Sequence, residues 1–136
     1  MTHAVISWEA LTKEAQRVMK LSYSPYSKFP VGVAGYTTDG RLVSGCNVEN
    51  ASYGLTLCAE CGLVSDLIAS GGGRLVAFSC VDINGAALMP CGRCRQLLQE
   101  HGGASLQLMT DQGVKTLAEL LPWAFGPEEI DKRLPS

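Results

Sequence analysis

Two rhythms of hydrophobic and polar positions alternate along the chain. Trp8, Leu11, Ala15, Val18 and Met19 recur at spacings of three and four, the pattern of one helix face. Ser7, just before them, has the chemistry of an N-cap. The stretch from Ser22 to Pro30 carries Pro25 and Pro30 and breaks the helical pattern. Val31 to Thr37 reads as a strand, Thr38-Asp39-Gly40 as a hairpin turn, and Arg41 to Cys46 as the return strand. A loop follows from Asn47 to about Leu57. Leu63, Val64, Leu67 and Ile68 then mark a buried helix face that Gly71-Gly72-Gly73 ends. Leu75 to Asp82 is apolar enough to be an interior strand. Asn84-Gly85 is a turn. Pro90 stands where a helix opens, Leu97 and Leu98 give it an inner face, and Gly102-Gly103 stops it. Ser105 to Met109 predicts another strand, Thr116 to Leu121 a short last helix, and Pro127 to Ser136 a charged, solvated tail. Strands separated by helices call for right-handed crossovers and an α/β/α sandwich. With no linker, charge block or repeat, residues 1–136 read as one domain.

Composition narrows the function. Only 18% of the residues are charged, against roughly 25% in an average soluble domain, while 46% are hydrophobic. Eleven basic and thirteen acidic residues leave a net charge of -2. That balance lacks the basic footprint a nucleic-acid partner requires, and the high apolar content argues against disorder. No apolar run approaches the ~18 residues of a membrane span, so no membrane partner is expected. Met1 to Ile6 shows no basic, then apolar, export signal; His3 reads as part of a loose terminus. The expected compartment is the cytoplasm. Six cysteines there suit metal ligands, catalytic groups or small core residues better than disulfides. The shortage of charge hints at surface buried against another subunit.

Two segments carry the chemistry: Cys58-Ala59-Glu60-Cys61 and Pro90-Cys91-Gly92-Arg93-Cys94. Both fall at predicted helix starts, where unpaired N–H groups and the positive dipole end favour thiolates. Two zinc readings arise. In one, all four cysteines close a structural site, although 29 residues separate Cys61 from Cys91, against roughly 15–20 in common zinc ribbons. In the other, Cys58, Cys91 and Cys94 bind zinc, water takes the fourth position, and Glu60 reaches that water as a proton shuttle. A Cys-x-Glu followed by Pro-Cys-x-x-Cys across one helix–strand unit is the three-cysteine form of the zinc deaminase signature. A thioredoxin-like reading of Cys91 to Cys94 leaves Cys58 and Glu60 unexplained.

Further motifs point the same way. Tyr26-Ser27-Lys28-Phe29-Pro30-Val31-Gly32, the run from Gly45 through Asn47, Glu49 and Asn50 to Tyr53, and Leu120-Leu121-Pro122-Trp123-Ala124-Phe125 resemble segments of the small homotetrameric zinc-dependent cytidine deaminases. The resemblance spans about Trp8 to Phe125. It implies a three-layer α/β/α sandwich around a mixed sheet of about five strands. It also implies one Zn2+ per subunit and hydrolytic deamination of cytidine and 2′-deoxycytidine in pyrimidine salvage. By the same resemblance Glu60 is the catalytic acid–base, and Asn47 and Glu49 clamp the ribose. Phe29 flanks the nucleoside, and the Ala59 amide holds the pyrimidine O2. Phe125 and Tyr53 reach a neighbouring subunit's site, so the partners implied are a small-molecule nucleoside and further copies of the chain. Two polar residues at i and i+2 of a strand end share a side, consistent with a joint role for Asn47 and Glu49.

One departure stands out. Many members of that family carry arginine directly after the glutamate, and here that position is Cys61. Three thiolates on Zn2+ leave a formal charge of -1, which weakens the Lewis acid. The two helix N-termini and Arg95 are the expected moderators, and Cys61 the expected non-ligand. Cys46 and Cys80 fall in predicted strands and read as core. His101, at a helix end, does not read as a ligand. Relatives acting on nucleotides, polynucleotides or aminonucleoside antibiotics are the nearest rivals.

Overall fold

A computed structural model describes residues 5–135; the readings placed on His3 and Ser136 fall outside them. The first helix, α1, spans Trp8–Met19, and the Ser7 hydroxyl accepts the Ala10 amide at 3.2 Å. Its apolar stripe of Leu11, Ala15, Val18 and Met19 is buried. The strands are β1 (Gly32–Thr37), β2 (Leu42–Cys46), β3 (Leu75–Val81), β4 (Gln107–Thr110) and β5 (Gly113–Thr116). They form one mixed sheet in the order β2-β1-β3-β4-β5. β1 pairs antiparallel with both β2 and β3, β3 pairs parallel with β4, and β4 antiparallel with β5.

The alternation of side chains sorts this sheet into two faces. Ala34, Ala77 and Val81 pack on Leu11, Ala15 and Met19 of α1. Val33, Phe78 and Cys80 point the other way. They join Leu63 and Leu67 of α2 (Ala59–Ala69), Leu98 of α3 (Gly92–Gly102) and Leu117 of α4 (Leu117–Leu120). The result is the three-layer sandwich that the alternating pattern anticipates. Two glycines let the layers close. A Cβ on Gly32 would lie 2.0 Å from the Ala15 carbonyl oxygen, and one on Gly45 would lie 2.5 Å from that of Ala59. The backbone of α1 therefore rests on β1, and that of α2 on β2.

Several expectations need correcting. Ile68, assigned to the buried face of α2, is 56% exposed, because Leu63 and Leu67 one turn apart already fill the seam with the sheet. The residue pattern predicts no strand between Met109 and the helix at Thr116, yet β5 forms there. Asp111 and Gln112 turn the chain back along β4, with Gly113 at φ 94° and Thr110 Oγ1 donating to its carbonyl at 2.6 Å. The charged tail is not featureless: Pro127–Asp131 forms α5, with Pro127 in the first turn and Glu129 paired to Arg133 at 3.0 Å.

Candidate active site

The two cysteine segments converge where α2 and α3 begin, beside the carboxyl end of β3. Cys58 and Cys91 are the N-cap residues of α2 and α3, and Cys94 lies in the first turn of α3. The sulfurs of Cys58, Cys91 and Cys94 all lie within 4.8 Å of one another. Thiolates sharing a tetrahedral zinc at ~2.3 Å would sit roughly 3.8 Å apart, so the donor set fits zinc after a small contraction. Among the described residues Cys61 is not part of this cluster, which separates the three-cysteine arrangement from a closed four-cysteine site.

The cluster opens into a cavity of about 300 Å³ lined by Phe29, Val31, Asn47, Thr56, Leu88 and Met89 besides Ala59, Glu60 and Cys80. Glu60, in the first turn of α2, is only 4% exposed. Burial pushes its carboxyl above the usual carboxylate range, against the opposing pull of its own amide and the Cys94 thiol. Burial likewise raises the thiols of Cys58 and Cys94. Cys91 goes the other way, held down chiefly by the amide of Cys94, with that of Arg93 assisting.

Asn47 follows β2 and is nearly buried. Its Oδ1 accepts from the Val31 amide at 2.9 Å and from the Ser22 hydroxyl, while Nδ2 donates to the Phe29 carbonyl at 2.9 Å. One N–H of the amide remains for another acceptor. These bonds also hold the segment that presents Phe29, which is half exposed at the cavity mouth. The Lys28 backbone turns there through φ 57°, and the Ser27 hydroxyl accepts the Phe29 amide at 3.0 Å.

Glu49 stands apart from Asn47. Its carboxylate takes the amides of Tyr26 at 2.9 Å and Ser27 at 3.1 Å, together with the Ser27 hydroxyl. It lines an adjoining cavity of about 300 Å³ with Tyr26, Asn50 and Tyr53. Thr56 walls both cavities. Tyr53 is 75% exposed, its ring edge-on to Tyr26 with centroids 6.1 Å apart. Phe125 lies outside both cavities, 59% exposed beside Trp123 and Ile130, with its carbonyl accepting from Gln96 Nε2 at 2.7 Å.

Two cysteine readings and one arginine reading change with the structure. Cys80 is buried as expected but also walls the cavity, whereas Cys46 is half-buried at the end of β2 rather than fully in the core. Arg95 turns away from the sulfurs to the carbonyls of Pro90 at 2.9 Å and Leu120 at 2.8 Å. Arg93 faces them instead: its Nη1 lies 3.9 Å from Cys58 Sγ and 3.8 Å from Cys61 Sγ. Arg93 and Arg95 both flank Cys94, so sequence adjacency alone does not tell them apart. In the first turn of a helix, successive side chains diverge by about 100°. Thr56, Leu88 and Met89 carried no motif and were missed as cavity walls; only the position of Leu88 and Met89 just before Pro90-Cys91 could have flagged them. A larger cavity, about 570 Å³, opens at the opposite end of the sheet among Tyr36, Thr37, Arg74 and Gln107, and none of the cysteines lines it.

The comparisons with known proteins agree with this geometry. Residues 6–110 match the cytidine and deoxycytidylate deaminase zinc-binding region. The crystal structure of cytidine deaminase from Mycobacterium leprae is 64% identical to the chain and has a TM-score of 0.85, covering 87% of this chain and 99% of that one. For the cytidine deaminase structure from Mycobacterium tuberculosis the identity is 53% and the TM-score 0.88, over 90% and 99% of the two chains. A cytidine deaminase from Sporosarcina psychrophila is 36% identical over an alignment of 127 positions that covers 90% of this chain and 93% of the relative. With the family's zinc-binding region running through most of its length, the chain belongs to the cytidine and deoxycytidylate deaminases.

Proposed function

We propose that the protein hydrolyses cytidine and 2′-deoxycytidine to uridine and 2′-deoxyuridine with release of ammonia, in pyrimidine salvage. The observation that carries this reading is the convergence of three cysteine sulfurs beside the buried Glu60 in a cavity walled by Phe29 and Asn47. Residues 1–136 act as one deaminase domain, with Cys58, Cys91 and Cys94 holding one zinc per subunit. Bound there, zinc supplies a Lewis acid that brings the pKa of water down towards ~7.

The chain's own residues do the rest. Glu60 takes the proton from the attacking water and hands it to ring N3. It then moves the remaining hydroxyl proton to the exocyclic amine, which leaves as ammonia while the C4 carbonyl forms. Burial supports this role, since it raises the carboxyl above its ordinary value and so makes it a stronger proton acceptor than an exposed carboxylate. Ala59 opens α2, and its amide, one of those an α-helix leaves without an internal acceptor, meets the pyrimidine O2. Phe29 covers the base. Asn47, with its spare N–H, and Glu49, across the Thr56 wall, hold the ribose. Phe125 and Tyr53 complete a neighbouring subunit's site, in a homotetramer; their exposure, and the position of Phe125 outside its own chain's cavity, support this. No helix among the described residues is long and apolar enough to cross a membrane. A cytoplasmic enzyme acting on free nucleosides, without nucleic-acid partners, suits the net charge of -2.

Incubation with cytidine, deoxycytidine and their monophosphates, followed by ultraviolet absorbance, tests the assignment. Both nucleosides should be turned over, and activity on the monophosphates alone would refute it. Glu60→Gln should fold and retain one zinc while losing at least about 10²-fold in kcat. Near-wild-type turnover in that variant would end the proton-shuttle role.

A further inference from the structure

We propose that Arg93 is the counter-charge of the metal centre, its guanidinium held between Cys58 and Cys61 so that it stabilises the Cys58 thiolate and strengthens zinc binding. This rests on the reading of Cys58, Cys91 and Cys94 as the zinc ligands.

Charge accounting creates the need. Three thiolates outweigh a divalent cation by one unit, and a cluster at two helix starts receives only partial positive charge from the helix ends. Arg95, next in sequence to a ligand, spends its guanidinium on two backbone carbonyls. Arg93 is one residue from Cys94 on α3, yet it reaches across to α2. Nη1 spans two sulfurs, 3.9 Å from Cys58 and 3.8 Å from Cys61, both within sulfur hydrogen-bond range. Cys58 makes no side-chain hydrogen bond to the helix it caps, which leaves its sulfur free to accept from Arg93.

This geometry also gives Cys61 a purpose without coordination. It sits one turn along α2 from Cys58, and its sulfur supplies the second acceptor that aims the guanidinium. The pair Cys61–Arg93 thus links the two helices that carry the ligands. A fixed cation 3.9 Å from Cys58 Sγ offsets part of the excess negative charge that three sulfurs place around a divalent ion, and so favours its binding. Arg93 is solvent-exposed, so salt should screen its effect.

Chelator competition measures the zinc dissociation constant of wild type, Arg93→Gln, Arg93→Lys and Cys61→Ala, at low salt and near 1 M salt. Partners that contact metal ligands typically change affinity by 10–100-fold, and an exposed one belongs at the low end. Arg93→Gln should weaken zinc about tenfold at low salt, with the difference shrinking at high salt. Arg93→Lys should recover most of the loss, which a purely structural role would not allow. Cys61→Ala should keep one zinc per chain. Equal affinities for wild type and Arg93→Gln would overturn the Arg93 role while leaving the three-cysteine site standing. Zinc that survives both Cys58→Ser and Cys91→Ser would overturn the site, and the Arg93 role with it. Loss of zinc in Cys61→Ala would make Cys61 a ligand and refute the division of labour.

Discussion

Gly45 offers a sharp test of how the fold sets the site. It lies in β2 directly beneath the first turns of α2. A Cβ there would stand 2.5 Å from the Ala59 carbonyl oxygen, 2.5 Å from the Leu63 amide nitrogen and 2.9 Å from the Gly62 carbonyl carbon. Ordinary contact begins at 3.4 Å, so the shortfall is about 0.9 Å. All three atoms are backbone of one helix, so no rotamer change relieves the clash and α2 must lift from β2. Overpacking of this kind costs about 1–3 kcal/mol. The same displacement moves Cys58 and Glu60, while Cys91 and Cys94 stay with α3. Zinc–ligand distances tolerate about 0.2 Å, and a misplacement of about 1 Å can cost 10²-fold in rate. Gly45→Ala should therefore lower stability by that amount, weaken zinc at least tenfold and reduce kcat up to about 10²-fold.

Gly62→Ala probes the same contact from the helix side. There a Cβ meets Gly45 Cα at 3.5 Å and Cys46 backbone atoms at 3.7 and 3.8 Å, ordinary separations. Removing a glycine from a helix interior gains about 0.5–1 kcal/mol, so this variant should be neutral or slightly more stable. Denaturant unfolding, chelator competition and cytidine turnover on both variants decide the matter. A Gly45→Ala protein within twofold of wild type in all three, or a Gly62→Ala protein equally damaged, would refute the close-approach argument.

Two further outcomes follow from the site's surroundings. The Ser27 hydroxyl, ahead of the Ser27 and Tyr26 amides, holds the Glu49 carboxyl below its ordinary value of 4.5. A group depressed in the folded state stabilises above its unfolded value and loses that contribution as pH falls through the folded one. Protease nicking of residues 24–29 should accordingly rise below about pH 4.5, and Glu49→Gln should nick readily already at neutral pH; identical pH profiles for the two proteins would count against the anchor. If Phe125 completes a neighbour's site, Phe125→Ala should raise the cytidine KM, and sedimentation should find activity confined to the oligomer; a fully active monomer would remove the shared-site role.

Much of the site was legible because its chemistry is local in sequence. Cys58 with Glu60 and Cys91 with Cys94 are each a single helix turn, and a helix start fixes their relative geometry without help from elsewhere. Core positions such as Leu11, Leu63 and Phe78 were legible for a similar reason, since burial follows the 3.6- and 2-residue periods. The short strand β5 and helix α5 were not. Four or five residues are too few to express a period, and both are held by what precedes them: the Asp111–Gln112 turn and the Pro127 start.

By itself, then, the sequence determined the longer elements and their order, the buried face of each, and the pairing of Cys58 with Glu60 and of Cys91 with Cys94 at two helix starts, all of which depend on spacings within one element. Only the tertiary structure decided which arginine faces the sulfurs, that Cys61 stands outside the cluster, and that Asn47 and Glu49 open into different cavities. Those outcomes depend on how α2 and α3 are placed on the sheet and on where the segment before β1 folds back over β2. Such placements are set by contacts between residues dozens of positions apart, as between Arg93 and Cys58, which no local period records.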